Sequence, residues 1–405
     1  MILVIQALFL VLFIYLAVNT LYLLVFAIAG RTRNYKPYTP VTDKKRIAVI
    51  IPSFKEDNVI VHTALKAKEH NYPDHAFDVF IAADHLKKET VDTLLSVPVK
   101  VEVMNFKGSS SKARSLHALI NTIDDSAYDI ALILDGDNVM EPGCLEKVNA
   151  AFHAGFRCVQ LHRTAKNTNT EMAVLDGLSE EVNNTIFRNG QRALGFSSCL
   201  IGSGMAFEFH KLKSILNIPS ILENSGEDRE IDSIIVKEGI EIEYIPDADV
   251  YDEKVSSEQV FQKQRLRWME AQLNHLAIIL SPSYFKGKRD RNFWNRLLII
   301  CMPPRLLLIA LFIPIFLIGA LSGYFGIELL SPGILFWGIL FAALCVSMLI
   351  ALPSRYLTVG VLSQAFSKVF SAMAHMIKGL FLLKPGRKEF LHTPKSFTEE
   401  VKEVV

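Results

Sequence analysis

The chain has 405 residues, about half of them hydrophobic, and its 43 Lys and Arg balance 42 Asp and Glu to a net charge of +1. Such an apolar fraction argues against a purely soluble protein, and no basic, aromatic-interleaved patch makes nucleic acid the first partner to consider. The five cysteines form no CxxC pair, so neither a zinc site nor a disulfide framework is indicated, and a reducing compartment fits.

Residues 1–30 carry no charge, and two further uncharged runs cover 306–327 and 329–354. Each exceeds the roughly 20 residues a helix needs to cross about 30 Å of hydrocarbon. The first lacks a basic start and is too long for a signal-peptide core, so it reads as a membrane anchor. Arg31, Arg33, Lys36, Lys44, Lys45 and Arg46 follow it, a basic segment from Lys286 to Arg305 precedes the second run, and Arg355 follows the third. The loop between the last two runs carries only Glu328. The positive-inside rule then puts the polar middle of the chain in the cytoplasm, as a multi-pass protein of the cell membrane. The expected organisation is an anchor (1–30), a linker (31–45), a cytoplasmic α/β domain (46–280), an interfacial basic segment (281–305) and two spans (306–354). A last part (355–405) would hold an interfacial or third C-terminal membrane helix at 364–383 and a cytoplasmic tail.

Between linker and spans, strands and helices alternate. "RIAVIIP" (46–52), "FDVFIAAD" (77–84), "VKVEVM" (99–104), "DIALILD" (129–135) and "FRCVQLH" (156–162) read as strands. Helices are expected at 58–70, at 112–123, after Pro142 and at 170–189. This order implies a largely parallel sheet with helices on both faces. Ligands in such sheets bind beyond the carboxyl ends of strands, where Asp84, Asp135 and Asp137 fall.

Asp135-Gly136-Asp137 puts two carboxylates at one strand end, a hard-oxygen pair suited to Mg²⁺ or Mn²⁺, although an Asp-Gly turn with a solvated acid is the ordinary alternative. Lys112 and Arg114 open a helix after a Gly/Ser loop, a plausible phosphate cradle. Glu227 and Asp228 begin another helix; acids there are ordinary dipole partners, and one of them can instead serve as a catalytic base. In "QRLRW", Gln264, Arg265, Arg267 and Trp268 bring amide, guanidinium and indole to about one helical turn, a set that can clamp phosphate and stack on a sugar. The bland alternative is an amphipathic helix lying against a membrane.

Taken in order, Asp84, the DGD, Glu227-Asp228 and QRLRW resemble the motif series of membrane-embedded family 2 glycosyltransferases, the group that includes cellulose and hyaluronan synthases. "IIPSFKED", "SKARSLHALI" and the tail "FLHTPKSF" resemble further family segments, and the likeness runs over nearly the whole chain. His85 after Asp84, and Phe390 and Leu391 where a Trp is frequent, depart from the pattern. The resemblance implies an α/β GT-A domain flanked by transmembrane helices and an inverting transfer from a nucleotide sugar, UDP being the first expectation, to a growing polysaccharide. A single transfer to a lipid carrier or membrane glycolipid is the alternative. It also implies roles: Asp84, Lys112, Asp135, Gln264 and Arg265 for the nucleotide sugar, Asp137 with Asp135 for Mg²⁺ or Mn²⁺, Asp228 as base, and Glu227 with Trp268 for the acceptor. Implied partners are a sugar donor, a glycan or lipid-linked acceptor and the bilayer, with no nucleic acid; an oligomer or accessory subunit stays open.

Overall fold

The computed structural model describes residues 1–106, 108–222, 226–286, 288–384 and 393–398. Eight strands form one sheet: β1 (Ile47–Phe54), β2 (Phe77–Asp84), β3 (Lys100–Val103), β4 (Ile130–Ile133), β5 (Val139–Met140), β6 (Cys158–Ala165), β7 (Met205–Glu208) and β8 (Ile242–Asp252). Their order across the sheet is β3-β2-β1-β4-β7-β6-β8-β5.

The expectation of a largely parallel sheet needs correction. β1 pairs in parallel with β2 and β4, β2 with β3, and β6 with β8. However, β7 runs antiparallel to both β4 and β6, and β5 antiparallel to β8. The sheet is therefore mixed. The short strand after Gly204 inserts between β4 and β6 in the opposite sense to both, although the helical residues 171–193 separate it from β6 along the chain.

Fifteen α-helices in the described residues surround or extend this sheet: α1 (Ile2–Thr32), α2 (Ile60–Lys68), α3 (Lys88–Leu95), α4 (Lys112–Thr122), α5 (Cys144–His153), α6 (Glu171–Asn184), α7 (Gly190–Ala193), α8 (Phe209–Leu216), α9 (Pro219–Leu222), α10 (Glu227–Lys237), α11 (Glu258–Ile279), α12 (Arg291–Cys301), α13 (Arg305–Tyr324), α14 (Ile334–Ala351) and α15 (Val359–Leu380). The continuous Val/Ile run of β1 is explained by burial on both sheet faces. Ile47, Val49 and Ile51 face a core closed by α2 and α5, while Ala48 and Ile50 face one closed by α4, α8 and α10. Helix α4 shows the local logic: the Ser111 side chain caps it by accepting from the Arg114 amide, and Ala113, Leu116, Leu119 and Ile120 give it one buried stripe.

Helices α1, α13 and α14 are long and apolar enough to cross a membrane. Trp337 of α14 is fully buried among Phe9, Phe13 and Phe312, and its indole N–H donates to the Pro332 carbonyl at 2.9 Å. The end of α1 is fixed to the segment 185–190 by close backbone contact. A Cβ on Gly30 would stand 2.3 Å from the Thr185 carbonyl oxygen, and one on Gly190 would stand 2.2 Å from that of Phe26. The expected single helix over 170–189 is broken where this contact occurs: α6 passes into a π-helical turn, Thr185–Asn189, before α7. The segment expected at 364–383 lies in α15, whose buried Ala372, Met373, Met376 and Gly379 pack toward α11 and α6, while Phe366, Phe370 and Phe381 are exposed.

Candidate active site

The carboxyl ends of β1, β2 and β4 point toward one cavity of about 780 Å³ between the sheet, α6, α10 and α11. Asp84 ends β2 and is 1% exposed. Its carboxylate is held by Ser110 Oγ at 3.1 Å, Ser115 Oγ at 3.4 Å and His85 Nδ1 at 2.6 Å. Asp84 is not among the cavity-lining residues; it anchors the Gly/Ser loop whose Ser109, Ser110 and Ser111 are.

The DGD turn follows β4, which ends at Ile133, two residues before Asp135. Asp135 pairs with Lys112, whose ammonium also donates to the Gly202 carbonyl. Burial would depress Lys112, but Asp135 and Glu227 overcome it and hold the ammonium charged. A Cβ on Gly136 would lie 2.0 Å from the Glu56 carboxylate, so a larger residue there has to push that side chain aside. Asp137 is 1% exposed, and its Oδ2 accepts from the Glu253 amide at 2.9 Å and from Lys395 Nζ at 3.0 Å. Lys395 belongs to the Thr-Pro-Lys tail, which also docks through the Ser396 and Phe397 amides on the Glu253 carboxylate. Phe390 and Leu391 lie outside the described residues.

Glu56, from the acidic loop after β1, was not singled out by its sequence position, yet it faces both acids of the DGD. Burial, then Asp137 and Asp135, push its carboxyl up to about 8. Among the described residues, no group of three or more His, Cys, Asp or Glu side chains closes on a single point as a complete metal cage.

Across the cavity, Glu227 and Asp228 open α10. Asp228 Oδ2 lies 3.3 Å from where a Cβ on Gly202 would be, at a backbone with φ +85° that favours glycine, so the ED pair and the Lys112-binding loop are in direct contact. Burial raises Glu227 to about 7; Lys112 opposes the shift, and Asp228 and Asp135 add to it.

The QRLRW residues divide in a way the sequence did not anticipate. Arg265, expected on the donor diphosphate, pairs with Asp176 of α6 and lies over the Trp268 ring with 4.2 Å between guanidinium and ring centre. One face of the Trp268 indole is thus already covered. The guanidinium that faces the acids is that of Arg267, which is pulled down by burial and up by Glu227, Asp135, Asp228 and Glu56. Helical geometry separates them: side chains two positions apart on α11 point about 200° apart, to nearly opposite faces of the helix. Gln264, Arg265, Arg267 and Trp268 all line the cavity, with Lys112, Asp135, Asp137, Glu227 and Asp228.

A sequence model of the glycosyltransferase like family 2 matches residues 45–271. Among solved structures, the chain is similar to the mannosyltransferase PcManGT from Pyrobaculum calidifontis in complex with GDP-Man and Mn²⁺, with TM-score 0.58 and 13% identity over 91% of this chain and 99% of that one. The S. aureus protein TarS, residues 1–349, aligns with TM-score 0.41 and 13% identity over 82% of this chain and 88% of that one. Its complex with UDP-GlcNAc gives TM-score 0.40. No curated protein matches the chain.

Proposed function

This chain belongs to glycosyltransferase family 2, with a GT-A catalytic domain, and we propose that it is an inverting membrane enzyme that takes its sugar from a nucleotide sugar. The observation that carries the reading is convergence. One cavity gathers the DGD turn, the Glu227-Asp228 pair and the QRLRW helix, which are far apart in sequence.

In this reading the donor lies over the DGD turn with its diphosphate toward Lys112 and Arg267. Asp228 takes the proton from an acceptor hydroxyl. The hydroxyl oxygen bonds to the anomeric carbon as the bond from that carbon to the diphosphate breaks, and the configuration inverts. Lys112 and Arg267 stabilise charge that grows on the leaving nucleoside diphosphate. Glu227 and the free face of Trp268 position the acceptor, and Asp84 holds the Gly/Ser loop beside the nucleotide.

The donor set fits a divalent cation. Asp135 and Asp137 offer oxygen donors only, and Glu56, pushed up to about 8 first by burial and then by Asp137 and Asp135, stands beside them. Mg²⁺ or Mn²⁺ held there would neutralise part of the diphosphate charge. The complex named for PcManGT, with GDP-Man and Mn²⁺, supports this by fold similarity.

The three candidate spans and their basic flanks support a cytoplasmic catalytic domain, where nucleotide sugars are made. QRLRW supports repeated transfer to a growing glycan by resemblance to the synthases. A panel of UDP- and GDP-sugars assayed for released nucleoside diphosphate tests the activity. No release above a D228N control with any donor would refute it. Product length, a ladder or a single glycolipid, separates extension from single transfer.

A further inference from the structure

Beyond QRLRW the cavity continues toward the start of α13. Five buried or half-buried cations meet there, Arg163, Arg188, Lys254, Arg265 and Arg305, against three carboxylates, Asp176, Glu180 and Asp252. Each carboxylate already has a cation partner, although Glu180 Oε1 accepts no hydrogen bond among the described residues. Asp176 pairs with Arg265, Glu180 with Arg163 at 3.0 Å, and Asp252 with Lys254 at 2.8 Å. Arg188 reaches Glu180 only at 3.8 Å and otherwise donates to Asn184 at 3.1 Å.

Arg305 has no carboxylate partner among the described residues. One of its terminal nitrogens donates to the Ser179 carbonyl at 2.9 Å and the Ser179 hydroxyl at 3.1 Å. The other, Nη1, is shut off from solvent with no hydrogen-bond partner among the described residues, and so is Nε of Arg188, a side chain only 3% exposed. A buried guanidinium without a partner is costly, so the arrangement is built for an anion that arrives from outside the protein. A surplus of two positive charges suits a lipid phosphate ester, and guanidinium forks suit its geometry.

The surroundings specify what bears the phosphate. Met302, Pro303, Leu306 and Met376 line the same end of the cavity. Arg305 is the first residue of α13, one of the helices long and apolar enough to cross a membrane. From the DGD turn to α13 the wall therefore runs from acidic, through basic, to apolar.

We propose that the Arg305–Arg188 end of the cavity binds the phosphate of a membrane lipid, and that this lipid's headgroup presents the acceptor hydroxyl to Asp228. The proposal rests on the transferase reading of the cavity and names its acceptor class. The phosphate is not altered in the reaction: the hydroxyl loses its proton to Asp228 and gains the sugar, and the nucleoside diphosphate leaves.

The test is calorimetric titration of the purified full chain in detergent with dodecyl phosphate, dodecanol, inorganic phosphate, UDP and GDP. Dodecyl phosphate should bind at least about tenfold more tightly than dodecanol or inorganic phosphate, the scale of one charge-assisted hydrogen bond. R305Q should weaken dodecyl phosphate about tenfold, leave nucleoside diphosphate binding within about twofold, and be partly rescued by R305K. Dodecanol binding as tightly as dodecyl phosphate overturns the proposal, and so does equally tight inorganic phosphate. Displacement of dodecyl phosphate by UDP or GDP in the unmodified protein also overturns it, because the cluster would then serve the donor; this arm needs no variant to fold. Failure of both nucleotides to bind would count against the donor reading instead, while the alkyl phosphate arms still decide the subsite.

Discussion

Lys395 Nζ lies 3.0 Å from Asp137 Oδ2, so the tail closes back onto the second acid of the DGD turn. Asp137 and Asp252 hold this ammonium firmly charged against its burial. A divalent cation seated on Asp137 has to share that carboxylate with Lys395 or displace it. In K395M the Mn²⁺ concentration for half-maximal nucleotide release should therefore fall at least about threefold, because a like charge is removed at close range. An unchanged or higher value would show that the two cations do not compete.

Replacing Asp228 by Asn keeps the size of the side chain and removes the proton acceptor. Transfer should drop by at least about a hundredfold, with UDP or GDP binding retained. Near-normal turnover in purified D228N would remove Asp228 from the role of base.

Glu227 sets the pH response. Below about pH 7 it keeps its proton, because its carboxyl sits at about 7. Above that pH a second negative charge stands beside the acceptor hydroxyl and favours loss of its proton, so kcat/KM should rise as pH passes 7. Stability moves the opposite way. The folded group holds a proton that the unfolded chain has lost, so its contribution is full below the ordinary 4.5 and disappears as pH rises through about 7. E227Q should flatten both profiles between about pH 6 and 8; a kcat/KM profile identical to that of the unmodified enzyme would exclude Glu227 as the titrating group.

The crossing of α1 and α7 allows no side chain at Gly190. In G190A the new methyl would meet the Phe26 carbonyl oxygen at 2.2 Å, a backbone atom that cannot rotate away. Overpacking of this kind costs about 1–3 kcal/mol. A lowered Tm in detergent, with the loss repeated in G30A, is the expected result; no change in either variant would mean that the helices separate without cost.

Much was readable in the chain because strong local rules were at work. Buried Val/Ile runs, capped amphipathic helices and long uncharged segments each leave a periodic or compositional trace, and β1, β2, α4 and the three candidate spans followed it. The ordered motifs likewise named the acids of the cavity. Three things had no such trace. The reversal of β7 depends on which strands it lies between. Arg265 and Arg267 look equivalent in QRLRW, and only the packing of α11 against Asp176 assigns them opposite tasks. Glu56 and Lys395 stand far from the DGD in sequence and reach it through the end of β1 and the return of the tail. Residue type and spacing determine which side chains can be buried and which chemistry they can carry. Which charges end up sharing one low-dielectric space is a matter of long-range contact, and that only the tertiary structure decided.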